Sequence, residues 1–159
     1  MQARMNNIAT VVPEVVPVLQ SFAKLAHKGG VPSKTIGLVE LRASQINGCS
    51  VCVDMHPHYM KQSGETDERL FAVAAWRHAP YFTEAERAAL ALTEAVTRLS
   101  DRSDPVPDEV WNEAARHYDE KGLAALLIAI ASINVWNRFN VSTSQVAGYR
   151  PEPAGKGSW

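Results

Sequence analysis

The sequence predicts an all-α protein, because helix start and stop signals recur along the chain and apolar residues repeat at helical spacing. No segment shows the alternating apolar and polar pattern of a strand, and no internal repeat or second domain is visible. We therefore expect one domain over residues 1–148. An irregular tail over 149–159, with two prolines and two glycines, follows it and ends at Trp159.

Four helices are predicted in the first half of the chain. They cover Val15 to His27, Pro32 to Asn47, Cys49 to Ser63 and Thr66 to Ala79. Gly48 is a typical residue to end the second helix, and Thr66 or Asp67 can cap the fourth. Proline lacks an amide donor and disfavours helical geometry in the preceding residue, so Pro57 predicts a kink or a break inside the third helix.

Three helices are predicted in the second half. They cover Thr83 to Leu99, Pro107 to Tyr118 and Gly122 to Phe139. Thr83 and Glu86 have the spacing of a capping box, and an apolar stripe along the first of these helices reaches Leu99. The last helix is apolar nearly all round, which favours a place at the centre of a bundle or against another subunit. Its polar residues Asn134, Asn137 and Arg138 are interpreted as a subunit contact.

Charge and hydropathy exclude several classes of function. The 16 basic and 17 acidic residues nearly cancel, without the basic stripe that nucleic-acid binding requires. Gly122 to Trp136 is the longest charge-free run and is shorter than the roughly 20 apolar residues that span a bilayer. The first residues lack the apolar core of a signal peptide. We therefore expect a cytoplasmic protein that binds neither nucleic acid nor membrane.

The stretch SQINGCSVCVDMH, residues 44–56, carries the chain's two cysteines, Cys49 and Cys52, with His56 one helical turn beyond. A thiolate at a helix start is stabilised by free amides and by the helix dipole, and the two-residue spacing lets the sulfurs bond. His56 lies four residues after Cys52 and can take or share its proton. Residue types alone favour a redox pair.

Two other interpretations of the cysteines stay open. Zinc would use Cys49, Cys52 and His56 with His58 or Asp54, but structural zinc sites usually draw a second ligand pair from a distant segment. Small inert thiols are also common in protein cores. Because the sequence offers no second Cys or His pair and no recognisable cofactor site, we expect no metal and no cofactor.

Glu40 is the second candidate for chemistry. It lies at the edge of an apolar helical stripe, where burial would raise its pKa and make it a proton acceptor near neutrality. A surface ion pair with Arg42 or Lys34 is an equal alternative on this pattern.

The stretch ELRASQINGCSVCVDMH resembles the core of the AhpD-like alkylhydroperoxidases, within the wider carboxymuconolactone decarboxylase family, and the likeness extends over about 36–142. It implies an AhpD-like helical bundle that forms homo-oligomers, often trimers or hexamers, and reduces hydroperoxides with a dithiol or protein reductant. It further implies that Cys52 is the peroxidatic thiol, Cys49 the resolving thiol and His56 part of the proton relay.

This chain departs from the family pattern at two positions. The relay glutamate of the best-characterised members stands twelve residues before the first cysteine, where this chain has Gly37. Glu40, three residues later, is the candidate replacement. Val51 stands between the cysteines where some members carry a histidine. The alternative function is a non-catalytic, redox-sensing or metal-binding oligomer, and the sequence identifies neither the substrate nor the reductant.

Overall fold

The computed structural model describes residues 1–101 and 103–148, and these residues form α-helices and short 3₁₀ segments without a strand. The α-helices are α1 (Ile8–Val11), α2 (Val15–Lys24), α3 (Ser33–Asn47), α4 (Ser50–Gln62), α5 (Asp67–Ala72), α6 (Glu84–Thr97), α7 (Asp108–His117) and α8 (Glu120–Ser142). The 3₁₀ segments are Leu25–Lys28, Val73–His78 and Leu99–Asp101. The all-α prediction is confirmed. The predicted tail, 149–159 with Trp159, lies outside the described residues.

The core lies where α3 and α8 cross, with α6 packed against both and α4 against α3. Val39 of α3, Leu92 of α6 and Ile130 of α8 have no exposed surface and belong to one apolar cluster. A buried aliphatic side chain contributes roughly 1.5–3 kcal/mol to folding. This cluster therefore fixes α8, the apolar helix, at the centre of the structure.

α8 has 23 residues and is, by length and composition alone, long and apolar enough to cross a bilayer. However, 56% of its most apolar window is buried inside the protein. A core helix meets the same test of length and composition. In this structure the apolar surface of α8 packs on α3 and α6.

Several predicted helix ends are confirmed. Thr83 and Glu86 form the complete capping box of α6, and Thr66 accepts a hydrogen bond from the Arg69 amide at the start of α5. Gly48 ends α3 in the left-handed conformation, with φ 68°. α8 begins earlier than predicted because Asp119 caps it by accepting from the Gly122 amide.

The structure also differs from the predicted helices at Pro57, at Val73 and at Leu99. Pro57 lies inside an unbroken α4, so the predicted break is wrong. Val51 and Cys52 before Pro57 and Met60 after it are buried, and their packing outweighs the hydrogen bond lost at the proline. The fourth predicted helix changes to 3₁₀ at Val73, with non-helical torsions at Ala75. The apolar stripe on α6 stops short of Leu99, which lies beyond the helix and is 54% exposed.

Glu94 on α6 binds four side chains from three parts of the chain. Its carboxylate accepts from Arg42 of α3 at 2.7 Å, from Arg77 at 2.8 Å and from the Trp76 indole at 2.9 Å, with Arg98 at 3.6 Å. Burial alone would raise the pKa of Glu94, but the hydrogen bonds from Trp76, Arg77 and Arg42 hold it below its ordinary value. Glu94 therefore joins α3, α6 and the 3₁₀ segment Val73–His78.

We expect Glu94→Gln to lower the free energy of unfolding by about 3 kcal/mol, because it leaves the largely buried Arg42 guanidinium and the buried Trp76 indole without a charged acceptor. Urea denaturation at pH 7 measures the change. Glu84→Gln on the same helix is the matched control: Glu84 is 79% exposed and lies 3.8 Å from Arg87. Its expected effect is about 0.5 kcal/mol or less.

The difference in unfolding free energy between wild type and Glu94→Gln should depend on pH. Because the folded pKa of Glu94 lies below its unfolded value of about 4.3, its contribution is complete above that pH and is lost as the pH falls through the folded pKa. The stability gap between wild type and Glu94→Gln should therefore narrow below about pH 4. A gap that stays constant down to pH 3 would contradict the assignment.

Candidate functional site

The cysteine pair lies at the turn between α3 and α4. After the left-handed Gly48, the Cys49 amide donates to the Ser44 carbonyl at 3.0 Å, which closes α3 and brings Cys49 into the N-cap position of α4. The Cys49 sulfur accepts from the Cys52 amide at 3.3 Å. The cysteines are joined as a disulfide with their Cα atoms 5.4 Å apart, and each is 1% exposed.

Two asparagines of α8 direct amide groups at these sulfurs. Asn137 Nδ2 lies 3.2 Å from Cys52 Sγ, and Asn140 Nδ2 lies 3.6 Å from Cys52 Sγ and 3.8 Å from Cys49 Sγ. The second hydrogen of the Asn137 amide is directed at Ser44 Oγ, 3.1 Å away. N–H donors favour the charged form of a thiol, so these amides are placed to stabilise a Cys52 thiolate when the disulfide is open.

The orientation of Asn137 is fixed by a third asparagine. Asn47 Nδ2 donates to Asn137 Oδ1 and to Asn134 Oδ1, both at 2.9 Å. With its oxygen held by Asn47, Asn137 presents its amide nitrogen to Cys52. Asn134, Asn137 and Arg138 make hydrogen bonds within the chain, and a subunit contact at these residues stays a prediction.

Sequence reasoning missed the role of the asparagines, although a signal was present. Asn134, Asn137 and Asn140 recur at three-residue spacing and share one face of an otherwise apolar helix. Buried polar side chains require partners, and a row of them on a core helix indicates a polar group opposite. Here that group is the cysteine pair.

His56 and Glu40 form a buried pair beside the cysteines, on α4 and α3 respectively. His56 Nδ1 lies 3.6 Å from Glu40 Oε2, and their side chains are 11% and 22% exposed. Burial raises the pKa of Glu40 to about 7 and lowers the pKa of His56 to about 4. His56 is therefore neutral at pH 7, while Glu40 gains or loses its proton there.

His56 has a second nitrogen available for chemistry. Its Nε2 atom is buried without a hydrogen-bond partner. His56 lies one helical turn beyond Cys52, and its Nδ1 side faces Glu40. The alternative of a surface ion pair between Glu40 and Arg42 or Lys34 is wrong. Arg42 binds Glu94, and Lys34 donates to the Gly64 carbonyl.

Glu40 also lines a cavity of 160 Å³ between α3 and α4, and Gly37 lies on the same wall. A Cβ atom at Gly37 would stand 3.1 Å from the Met60 thioether, so Met60 fills the space that a side chain there would need. The carboxylate available to His56 in this chain is therefore that of Glu40. Within 1–101 and 103–148, no group of three or more His, Cys, Asp or Glu side chains is arranged to hold a metal ion.

Relatives and solved structures agree with this architecture. The Bacillus subtilis protein YdfG is 33% identical over 132 residues, 83% of this chain and 88% of YdfG, and Escherichia coli YnjA is 34% identical over 65% of this chain and 55% of YnjA. Both are uncharacterised. A crystal structure of an Agrobacterium tumefaciens protein of unknown function, provisionally named the antioxidant defence protein AhpD, has a TM-score of 0.84 at 30% identity. It matches 94% of this chain and 100% of its own.

The debrominase Bmp8 has the same fold, with a TM-score of 0.74 at 22% identity over 86% of this chain and 73% of its own. The carboxymuconolactone decarboxylase family model matches residues 13–95, which include the cysteine pair, His56 and Glu40. With its AhpD-like fold, the chain belongs to the carboxymuconolactone decarboxylase family.

Proposed function

We propose that this protein is a thiol-dependent peroxidase that reduces hydroperoxides with Cys52 and Cys49. The observation that carries the proposal is the cysteine pair, bonded at a helix start beside the amides of α8, with the His56–Glu40 pair one turn away. Its membership of a family that has an AhpD-like fold supports it. The proposed partners are a hydroperoxide and a dithiol or protein reductant, in the cytoplasm, where such reductants keep thiols reduced.

The reaction proceeds in three steps. The Cys52 thiolate attacks the outer oxygen of the hydroperoxide, the O–O bond breaks, and the leaving alkoxide takes a proton to give an alcohol and a Cys52 sulfenic acid. The Cys49 thiol then displaces hydroxide, which leaves as water, and the disulfide forms. A dithiol supplies two electrons and two protons to reopen it.

Cys52 is proposed as the nucleophile although Cys49 occupies the helix start. The Cys52 amide and the helix dipole favour a Cys49 thiolate, whereas Asn137 and Asn140 favour a Cys52 thiolate. His56, four residues after Cys52, adds a proton acceptor on that side. The resolving role then falls to Cys49.

His56 and Glu40 are proposed to carry the thiol proton. His56 is neutral at pH 7 and accepts the Cys52 proton at one nitrogen while passing its own proton from Nδ1 to Glu40. Glu40, with a pKa of about 7, then exchanges with solvent through its cavity. The 3.6 Å separation is longer than a hydrogen bond and must shorten during transfer.

A redox sensor is the second candidate, and the burial of the sulfurs favours it. At 1% exposure, neither cysteine is open to a large reductant, which suits one slow oxidation more than turnover. The number of peroxide molecules reduced per protein separates the two functions.

A homo-oligomer is also proposed. α2 has no buried residue, and its apolar side chains Val18 and Phe22 are 66% and 36% exposed, with Leu25 beyond its end at 42%. A contiguous exposed apolar face of this kind is typical of an interface.

With cumene hydroperoxide and excess dithiothreitol, we expect many turnovers from the wild type and loss of at least about 100-fold in rate from Cys52→Ser, because the nucleophile is removed. Cys49→Ser should form one sulfenic acid, detected by dimedone labelling and mass spectrometry. A single oxidation per wild-type protein would instead establish the sensor.

Glu40→Gln should reduce kcat/KM at pH 8 by about 10²-fold or more and remove the rise in rate around pH 7, because Gln accepts no proton. The wild-type rate should increase as the pH rises through about 7, where Glu40 ionises. The exposed Glu68→Gln is the control and should keep the wild-type profile. An unchanged Glu40→Gln profile would remove Glu40 from the relay.

Light scattering of the wild-type protein should give a mass of two or more times the 17.4 kDa of one chain. Val18→Glu, which places a charge on the apolar face of α2, should lower that mass. The control is Gln20→Glu, with the same new charge on an exposed polar position of α2. A monomeric wild type would contradict the oligomer.

A further inference from the structure

We propose that a second cavity, beneath the N-terminal segment, binds the organic part of a small, uncharged hydroperoxide; the inference rests on the proposed peroxidase function. The cavity has a volume of 220 Å³ and adjoins the start of α4. It is lined by Ala3, Asn7, Thr10, Val51, Gln145 and Val146.

One wall of the cavity is built by the chain turning back after α8. Ser144 has φ 53°, in the left-handed region, and the Gln145 amide donates to the Asn140 carbonyl at 2.9 Å. The Gln145 carbonyl in turn accepts from Ser50 Oγ at 3.1 Å. These bonds hold Gln145 and Val146 over the first turn of α4.

The opposite wall is the N-terminal segment, which is tied to the same end of α8. The Arg4 amide donates to the Thr143 carbonyl at 2.9 Å, and Arg4 Nη1 donates to the Ser142 carbonyl at 3.0 Å. Gln145 Nε2 donates to the Met5 carbonyl at 3.0 Å. The segment is therefore a fixed part of the cavity.

The cavity meets the reactive sulfurs through two residues. Val51 stands between the cysteines and lines it. Asn7, also in the lining, donates from Nδ2 to Asn140 Oδ1 at 3.4 Å, and the Nδ2 atom of the same Asn140 faces both sulfurs. The cavity is thus linked to the cysteines directly by Val51, which packs with both of them, and indirectly by Asn7 through Asn140.

Size and polarity define the ligand. No side chain in the lining is charged; three are apolar and three carry neutral polar groups. The volume lies below the roughly 300–1,000 Å³ of sites for drug-sized ligands, yet above the about 150 Å³ that accommodates benzene. A branched-alkyl or aryl hydroperoxide fits this description, whereas an anionic or long-chain hydroperoxide does not.

The Glu40 cavity has the opposite character. Lys34, Glu40 and Glu65 line it, and Glu65 Oε2 is buried without a hydrogen-bond partner. Desolvating these charged groups against an apolar ligand would be costly. We therefore assign the organic group of the substrate to the cavity at Val51 and proton exchange with solvent to the Glu40 cavity.

Ala3→Phe tests the proposal by filling the cavity from the N-terminal wall. We expect KM for cumene hydroperoxide to rise about tenfold or more while KM for hydrogen peroxide, which has no organic group, changes less than about twofold. Val146→Phe, from the other wall, should act likewise. Gln2→Phe adds the same side chain to an exposed neighbour outside the lining and should leave both KM values unchanged.

A binding experiment separates this proposal from the peroxidase function. The unreactive alcohol 2-phenyl-2-propanol, titrated into the wild type, should shift the methyl NMR signals of Val51 and Val146, and Ala3→Phe should abolish the shifts. Such binding without any turnover would support the cavity and refute the peroxidase. Two results would overturn the cavity and leave the peroxidase function intact. The first is turnover in which Ala3→Phe and Val146→Phe change KM equally for cumene hydroperoxide and hydrogen peroxide. The second is NMR shifts confined to residues around Glu40.

Discussion

The structure depends on burying a polar cysteine pair against α8, a long and largely apolar helix. Sulfurs that are 1% exposed receive no help from water, so any charge on them must be stabilised by protein donors. α8 meets this need with asparagines, which donate N–H groups without adding a charge. An arginine or lysine in the same place would require a buried counter-charge.

Two glutamates show how neighbouring donors set the ionisation of a carboxyl group. Glu94 is surrounded by arginines and an indole N–H, so its carboxylate stays ionised and joins three elements. Glu40 is raised to a pKa of about 7 by burial, with His56 at 3.6 Å. A carboxyl group with a pKa near the working pH moves protons well and contributes little fixed charge. The same residue type thus differs in ionisation according to its donors.

Local features of the fold were predictable from sequence, and distant contacts were not. The capping box of Thr83, the stop at Gly48 and the helix start at Cys49 depend on residues within one turn of each other, so short patterns predict them. Asn137 contacts Cys52 across 85 residues, and no local pattern carries that register. Pro57 shows the converse, since its local signal for a break is overruled by the packing of Cys52 and Met60.

The candidate site follows the same division. Cys49, Cys52 and His56 belong to one short motif and were predictable as a group, and Glu40 was identified by its position on the α3 stripe. The cavity beside Val51 was not, because its walls come from both ends of the described chain. This origin has a physical consequence for specificity. The cysteines sit on rigid helices, whereas the lining around Asn7 and Gln145 comes from segments held to α8 by a few hydrogen bonds. On the proposed function, we expect changes in those segments to alter which organic group fits without moving the sulfurs or the His56–Glu40 pair, so that substrate preference and reactivity would vary independently on one scaffold.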